Sequence, residues 1–229
     1  MKTIGLIGGM SWVSTAHYYE ILNREAERLR GGLHSAEVIV HSVDFAPVEA
    51  MQRANDWDGI GRELAGVARS LEAQGAGLIA LTTNTMHICA PQIAAAVKVP
   101  FIHIAAPTAD ALIADGIETV ALLGTRYTME MPFYRAEIER RGLRVLVPDV
   151  GITNLNGIIY EELVHNIVRE SSRAIYIEAI ARLASRGAQA VILGCTEIDL
   201  LVDDSISPIP TYDTTDLHAK AIYATALAS

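Results

Sequence analysis

Short apolar runs recur along the chain, each closed by glycine or small polar residues and followed by a longer stretch with helical periodicity. Ile4-Gly5-Leu6-Ile7, Val38-Ile39-Val40, Leu78-Ile79-Ala80-Leu81, Val120-Ala121-Leu122-Leu123 and Val191-Ile192-Leu193 are the clearest runs. Continuous apolar runs of this length, bounded by turn residues, suit strands covered on both faces. The pattern predicts strands over about 3–7, 37–43, 77–81, 99–104, 117–123, 144–147 and 191–194. Helices are expected over about 14–30, 58–74, 84–97, 105–114, 129–141, 157–168 and 171–186, with a short helical stretch carrying Gln52 and Arg53 and a terminal helix after Asp213. A further helix is expected to start directly after Cys195. Strands alternating with helices imply a parallel α/β architecture with right-handed crossovers.

The pattern also repeats. Thr3-Ile4-Gly5-Leu6-Ile7-Gly8 is echoed by Thr119-Val120-Ala121-Leu122-Leu123-Gly124, and Gly75 to Leu81 by Gly187 to Leu193. The second echo aligns Thr83 with Cys195 and Asn84 with Thr196. The expectation is two similar doubly wound α/β domains related by a pseudo-twofold, with the active site in the cleft between them. Residues 1–104 with 208–229 would form the first domain and 105–207 the second. Generic α/β patterning produces such echoes too, so the repeat alone does not decide the matter.

Composition narrows the function classes. The chain has 229 residues, of which 51% are apolar, yet charges and glycines interrupt every apolar run before it reaches membrane-spanning length. Two cysteines form no disulfide framework, so a cytoplasmic location is the expectation. A net charge of -9 without a basic run argues against nucleic acid as a partner. An anionic substrate would therefore be held by local donors and not by the overall field.

Candidate chemistry collects at two strand ends. Cys195 follows Gly194 at the carboxyl end of a strand, where open α/β sheets place their ligands. A helix starting there would lower the thiol pKa from about 8.5 and make it a usable base or nucleophile. A buried inert cysteine is the commoner fate of that residue type. Gly8-Gly9-Met10-Ser11-Trp12 follows the first strand; it lacks the G-x-G-x-x-G spacing of a dinucleotide fingerprint and reads equally well as a plain tight turn or a ligand contact. Asn84 and Thr85 can serve as ligand donors or helix caps. His87 reads as a structural first-turn residue and Cys89 as core. The histidines show no ligand spacing, so no metal site is expected.

At these residues the sequence resembles the aspartate/glutamate racemase family over essentially its whole length. The resemblance is carried by Gly5-Leu6-Ile7-Gly8-Gly9-Met10-Ser11-Trp12, Gly31-Gly32-Leu33-His34-Ser35-Ala36, Ser42-Val43-Asp44-Phe45, Thr83-Asn84-Thr85-Met86-His87, Leu123-Gly124-Thr125-Arg126-Tyr127-Thr128-Met129 and Gly194-Cys195-Thr196-Glu197-Ile198. It implies a racemase of acidic amino acids, commonly dimeric, that needs no cofactor and uses two bases on opposite faces of the α-carbon. The second base matches Cys195. The first falls on Thr83, where the family usually has cysteine; members with threonine there are said to favour L-acidic amino acids. Substrate contacts carried over by the matching blocks are Gly9, Met10, Asn84, Thr85, Thr125 and Thr196, with Gln52 the candidate for the side-chain carboxylate. The family often places a basic residue near Val164 and His165. A single-cysteine decarboxylase or isomerase of small dicarboxylic acids, and an amino-acid sensor without turnover, are the alternatives.

Overall fold

Ile4–Gly8 forms β1, and every one of its residues is buried. Trp12–Arg30 (α1) follows, its start capped by the Ser11 side chain accepting from the Ser14 N–H. Val38–Ser42 (β2), Phe45–Arg53 (α2), Trp57–Ala73 (α3) and Leu78–Leu81 (β3) come next. A 3-10 turn over Thr85–Cys89 leads into Ala90–Ala95 (α4) and the short strand Phe101–Ile102 (β4). Ala105–Ala114 (α5), Thr119–Gly124 (β5), Arg126–Glu130 (α6), Pro132–Glu139 (α7), Arg144–Leu146 (β6) and Ile152–Glu161 (α8) continue the alternation. Glu170–Ser185 (α9), Ala190–Gly194 (β7), Thr211–Asp213 (β8) and Thr214–Leu227 (α10) complete it. The computed structural model describes residues 1–228.

Contacts divide the chain into two units, Met1–Ile104 with the segment from His218 onward, and Ala105–Leu217. The first holds a parallel four-stranded sheet in the order β2-β1-β3-β4, the second a parallel four-stranded sheet in the order β6-β5-β7-β8. In the first sheet, side chains of alternate parity enter separate cores. Ile7, Ile79 and Leu81 pack with α2, α3 and α4, whereas Ile4, Leu6 and Leu78 pack with α1 and α10. Ala121, Leu123, Val191 and Leu193 pack with α8 and α9 in the second unit. Val120, Leu122 and Ile192, of the opposite parity, are buried too. Each such aliphatic side chain contributes about 1.5–3 kcal/mol by leaving water.

Register carries the sequence repeat into structure. β1 pairs β3 with Ile7 opposite Leu81, and β5 pairs β7 with Leu123 opposite Leu193. Thr83 and Cys195 each lie two residues past that leucine, so the two sheets present them at equivalent positions.

Several boundaries differ from expectation for identifiable reasons. The strand expected over 99–104 shrinks to Phe101–Ile102, because Pro100 has no N–H and the amides of Lys98 and Val99 donate to Glu72 Oε1 at 2.8 and 3.1 Å. The helix expected to reach residue 141 is broken at Met131, which Pro132 holds extended. Thr211–Asp213 hydrogen-bonds β7, so residues 208–217 go with the second unit, where the sequence pattern suggested the first. Two prolines just before it, Pro208 and Pro210, and only three paired residues hid that strand. The helix expected directly after Cys195 is also missing: a 3-10 turn over Ile198–Leu200 stands in its place.

Candidate active site

In the first unit the candidate residues gather at the carboxyl ends of β1 and β3. Gly9 has φ +94°, and a Cβ there would meet the Val43 carbonyl at 2.2 Å, so only glycine fits. Its N–H donates to Thr15 Oγ1 at 2.9 Å, which commits the amide to the fold. Thr15 Oγ1 also lies 2.9 Å from Thr82 Oγ1, and Ser14 Oγ donates to the Thr82 carbonyl at 2.7 Å. This buried hydroxyl network ties the turn after β1 to the end of β3, immediately before Thr83. Met10 is buried within the apolar core, and Gln52 is buried on α2.

Thr83 is half-buried and begins the elbow. Its carbonyl lies 2.8 Å from His87 Nδ1, and the Ile104 N–H donates to His87 Nε2 at 3.2 Å. An amide N–H can only donate and a carbonyl can only accept, so His87 is the neutral tautomer with its proton on Nδ1. Burial, followed by the neighbouring His103 and His218, holds its pKa well below the ordinary histidine value. The expected structural role of His87 is thus the observed one. Asn84 and Thr85 are buried beside it, and the Asn84 side chain makes no cap hydrogen bond to the 3-10 turn that follows. Cys89 sits in the core, its Sγ 3.5 Å from the Trp57 carbonyl, and burial with Asp58 nearby pushes its thiol up to about 11.

In the second unit, Thr125 follows β5 and caps α6, its side chain accepting from the Thr128 N–H. β7 ends at Gly194, where a Cβ would meet the Leu123 carbonyl at 2.7 Å, so a larger residue there would force the central strands apart. Cys195 follows, buried against the core of this unit. Its Sγ donates to Glu197 Oε2 at 3.1 Å, and Thr196 Oγ1 donates to the same oxygen at 2.6 Å. One oxygen of Glu197 thus accepts from both side chains.

Burial and then the charge of Glu197 raise the Cys195 pKa well above the ordinary thiol value. This reverses the depressed pKa expected from the sequence. No α-helix starts after Cys195 to supply a dipole, and a carboxylate stands where the helix N-terminus was expected. The thiol therefore rests protonated, with an acceptor for its proton in contact. Thr196 is affected as well, because its hydroxyl proton already points at Glu197; what it offers a ligand is lone pairs. Glu197 was read from sequence only as a polar helix start. The signal for more was its place two residues past the cysteine, which a tight turn converts into contact. Val164 and His165 form a separate 3-10 turn, with His165 exposed.

Sheet order, the equivalent strand-end elbows and sequence all lead to one family. The chain belongs to the Asp/Glu/Hydantoin racemase family, whose model matches residues 7–222. Among solved structures it is similar to a candidate Asp/Glu racemase from Yersinia pestis, at 46% identity and a TM-score of 0.94 over 99% of this chain and 100% of that one. It is also similar to an aspartate racemase homologue from Pyrococcus horikoshii OT3, at 32% identity and a TM-score of 0.86 with the same coverage. A curated relative is the broad specificity amino-acid racemase RacX of Bacillus subtilis (strain 168), 26% identical over 226 residues, covering 98% of each chain. Among the described residues, no helix is long and apolar enough to cross a membrane.

Proposed function

We propose that this member of the family racemises acidic amino acids, L-glutamate or L-aspartate, by removing and returning the α-proton. Cys195 is the base on the L face, and Thr83 is the group at the opposite face, donating its proton or that of a water it holds. The observation that carries the reading is the register: Cys195 and Thr83 stand at equivalent strand-end elbows, two residues past Leu193 and Leu81. A carbanion approached from both faces by groups on equivalent elbows is what stereoinversion needs. The names of the relatives support amino acids as the substrate class.

Gly9 and Met10 shape the floor at one strand end, and Asn84, Thr85 and Thr125 supply donors to the α-carboxylate. Gln52 takes the side-chain carboxylate through its amide. Thr196, whose hydroxyl proton is held by Glu197, serves as an acceptor and so suits the substrate ammonium. In this reading the enzyme needs no pyridoxal phosphate or other cofactor and works as a cytoplasmic homodimer.

Incubation with L-glutamate and L-aspartate in D₂O, following the α-proton and the enantiomer ratio together, tests the reading. Deuterium should enter the D product as it forms, and recovered L substrate should exchange at least as fast as it inverts. A decarboxylase would leave both amino acids untouched and act on a malonate. A sensor would show neither exchange nor inversion, yet melt higher with its ligand. Acidic and other L-amino acids that all keep their α-protons would refute the assignment.

A further inference from the structure

We infer that the cavity between α8 and α9 of the second unit is a separate ligand site, for a free α-amino acid with an aliphatic side chain. Its lining comes from the segment after β6, from α8 and from α9 with its cap, and includes neither Cys195 nor any residue of that elbow. The site is independent of the proposed reaction.

The cavity holds about 240 Å³, below the roughly 300–1,000 Å³ of a drug-sized site, so its occupant is small. Its floor is apolar. Leu155 of α8 faces Ile175, Ala179 and Leu183 of α9, the last three at the four-residue spacing of one helix face. Ala179 is the small member of that stripe and leaves the space open. Beneath the floor, the Tyr176 hydroxyl donates to the Leu155 carbonyl at 3.0 Å and fixes the two walls to each other. The rim carries four charged side chains, Asp149, Glu178, Arg182 and Arg186, all exposed. Arg182 Nη2 donates to Glu178 Oε1 at 2.5 Å. Arg186 Nη1 donates to the Val147 carbonyl at 2.9 Å and lies 3.2 Å from Asp149 Oδ2.

The chemistry of the lining selects the occupant. Two carboxylates and two guanidinium groups leave the rim neutral, so a bare anion meets Asp149 and Glu178 and a bare cation meets the arginines. A zwitterion satisfies both signs. The charged groups of an α-amino acid share one carbon, and Arg182 and Glu178 stand one turn apart on α9 with Ala179 opening beside them. The α-carboxylate takes the planar fork of Arg182, and the ammonium takes Glu178. Exposed ion pairs of this kind hold little energy, so a ligand displaces the Arg182–Glu178 contact at small cost. The aliphatic side chain then covers Leu155, Ile175 and Leu183 and leaves water. Glutamate and aspartate fit poorly, because their second carboxylate would have to leave water over an apolar floor.

Calorimetric titration with L-leucine, and with isocaproate and isoamylamine, which lack its ammonium and its carboxylate respectively, tests the site. L-Leucine should bind saturably at millimolar concentration and raise the melting temperature. Isocaproate and isoamylamine should each bind at least tenfold more weakly. Two variants locate the binding, with thermal melting to establish that each is folded. Ala179→Phe fills the cavity and should abolish L-leucine binding. Arg182→Ala, an exposed change that keeps the floor, should weaken L-leucine at least tenfold while changing isoamylamine less than threefold. Cys195→Ser should bind L-leucine as the parent does, which separates this site from the elbow. No saturable binding of L-leucine by the parent overturns the inference. So does L-leucine binding that survives Arg182→Ala or a folded Ala179→Phe, or that is lost in Cys195→Ser, and so does either half-ligand binding as tightly as L-leucine. None of these outcomes bears on whether the protein exchanges the α-proton of acidic amino acids, so this site and the proposed reaction stand or fall separately.

Discussion

His87 joins two backbone groups that are distant in sequence: its Nδ1–H donates to the Thr83 carbonyl at 2.8 Å, and its Nε2 accepts from the Ile104 N–H at 3.2 Å. A single buried ring thus sets the elbow that presents Thr83 and the end of the segment after β4. Replacing it with alanine leaves a buried carbonyl, a buried amide and a cavity. Each unmet group costs about 1–3 kcal/mol, and the cavity adds to that. His87→Ala should therefore lower unfolding stability by roughly 3–6 kcal/mol in chemical denaturation, with His87→Gln losing less because it can restore one of the two bonds. A loss below about 1 kcal/mol for the alanine variant would show that the elbow is held by other means.

The same cluster makes stability depend on pH. His218 Nε2–H donates to the Ile102 carbonyl at 2.9 Å, and its Nδ1 accepts from Tyr18 Oη at 2.8 Å. Burial holds His218 down at about 3, and His87 is also held well below its ordinary value. Both folded pKa values lie beneath the unfolded value of about 6.5, so the unfolded chain binds protons that the folded one refuses. Their stabilisation is fully present above pH 6.5 and is lost as pH falls toward the folded values. At pH 5 the loss is about 2 kcal/mol for His218, and His87 adds to it in the same direction. Urea unfolding at pH 7, 6 and 5 should show this decline, and a His218→Gln variant should show a shallower one. A pH-independent midpoint over that range would mean that both histidines take up protons in the folded protein as readily as in the unfolded chain.

How much of this was legible beforehand depends on whether the cause was local. The apolar runs at Ile4, Leu78, Val120 and Val191 fall in strands because both their faces are covered, which a continuous run announces. Thr211–Asp213 gave no such signal. Its strand state comes from pairing with β7, and Pro208 and Pro210 spoke for a loop. At the site, the equivalence of Thr83 and Cys195 was written in the repeat, since register follows the same apolar positions. The protonation of Cys195 was not. It depends on the path of the chain after the sulfur, and a turn in place of a helix brings Glu197 into contact and reverses the sign of the shift. The Gly9 amide donating to Thr15 and the Thr196 hydroxyl donating to Glu197 were equally invisible, because a donor's type is local and its partner is not.

Gly9 supplies a prediction that separates fold from chemistry. Its φ of +94° is strained for any L side chain, and an added methyl would meet the Val43 carbonyl at 2.2 Å. Backbone carbonyls of a strand end do not move cheaply. Gly9→Ala should destabilise by at least about 2–4 kcal/mol, combining strain and displacement. Gly32→Ala is the control: it also has positive φ, at +61°, but nothing lies within 4 Å of the added methyl. It should cost only about 1 kcal/mol. Equal losses at the two positions would mean that φ alone, and not the approach of Val43, selects glycine at Gly9.

Exchange at the two elbows carries the most direct test of the proposed chemistry. Cys195→Ser should reduce turnover by on the order of 10³-fold or more with the fold intact, because a hydroxyl is almost never ionised at neutral pH. Thr83→Cys addresses the other face. The Thr83 side chain is half-buried while its carbonyl is held by His87, so the substitution changes the group at the tip without moving the backbone that presents it. A thiol there can act as a base where threonine can only donate. Proton abstraction from the D enantiomer should therefore rise more than abstraction from the L enantiomer, and the ratio of D to L turnover should grow about tenfold or more. Cys89→Ala serves as the companion variant. Its thiol lies in the apolar core, is pushed up to about 11, and should leave the enantiomer ratio unchanged. Measuring initial α-proton exchange of each enantiomer in D₂O for the three variants decides the question. Equal changes for the two enantiomers in Thr83→Cys would mean that Thr83 does not face the carbanion opposite Cys195, and the two-sided reading would have to be abandoned.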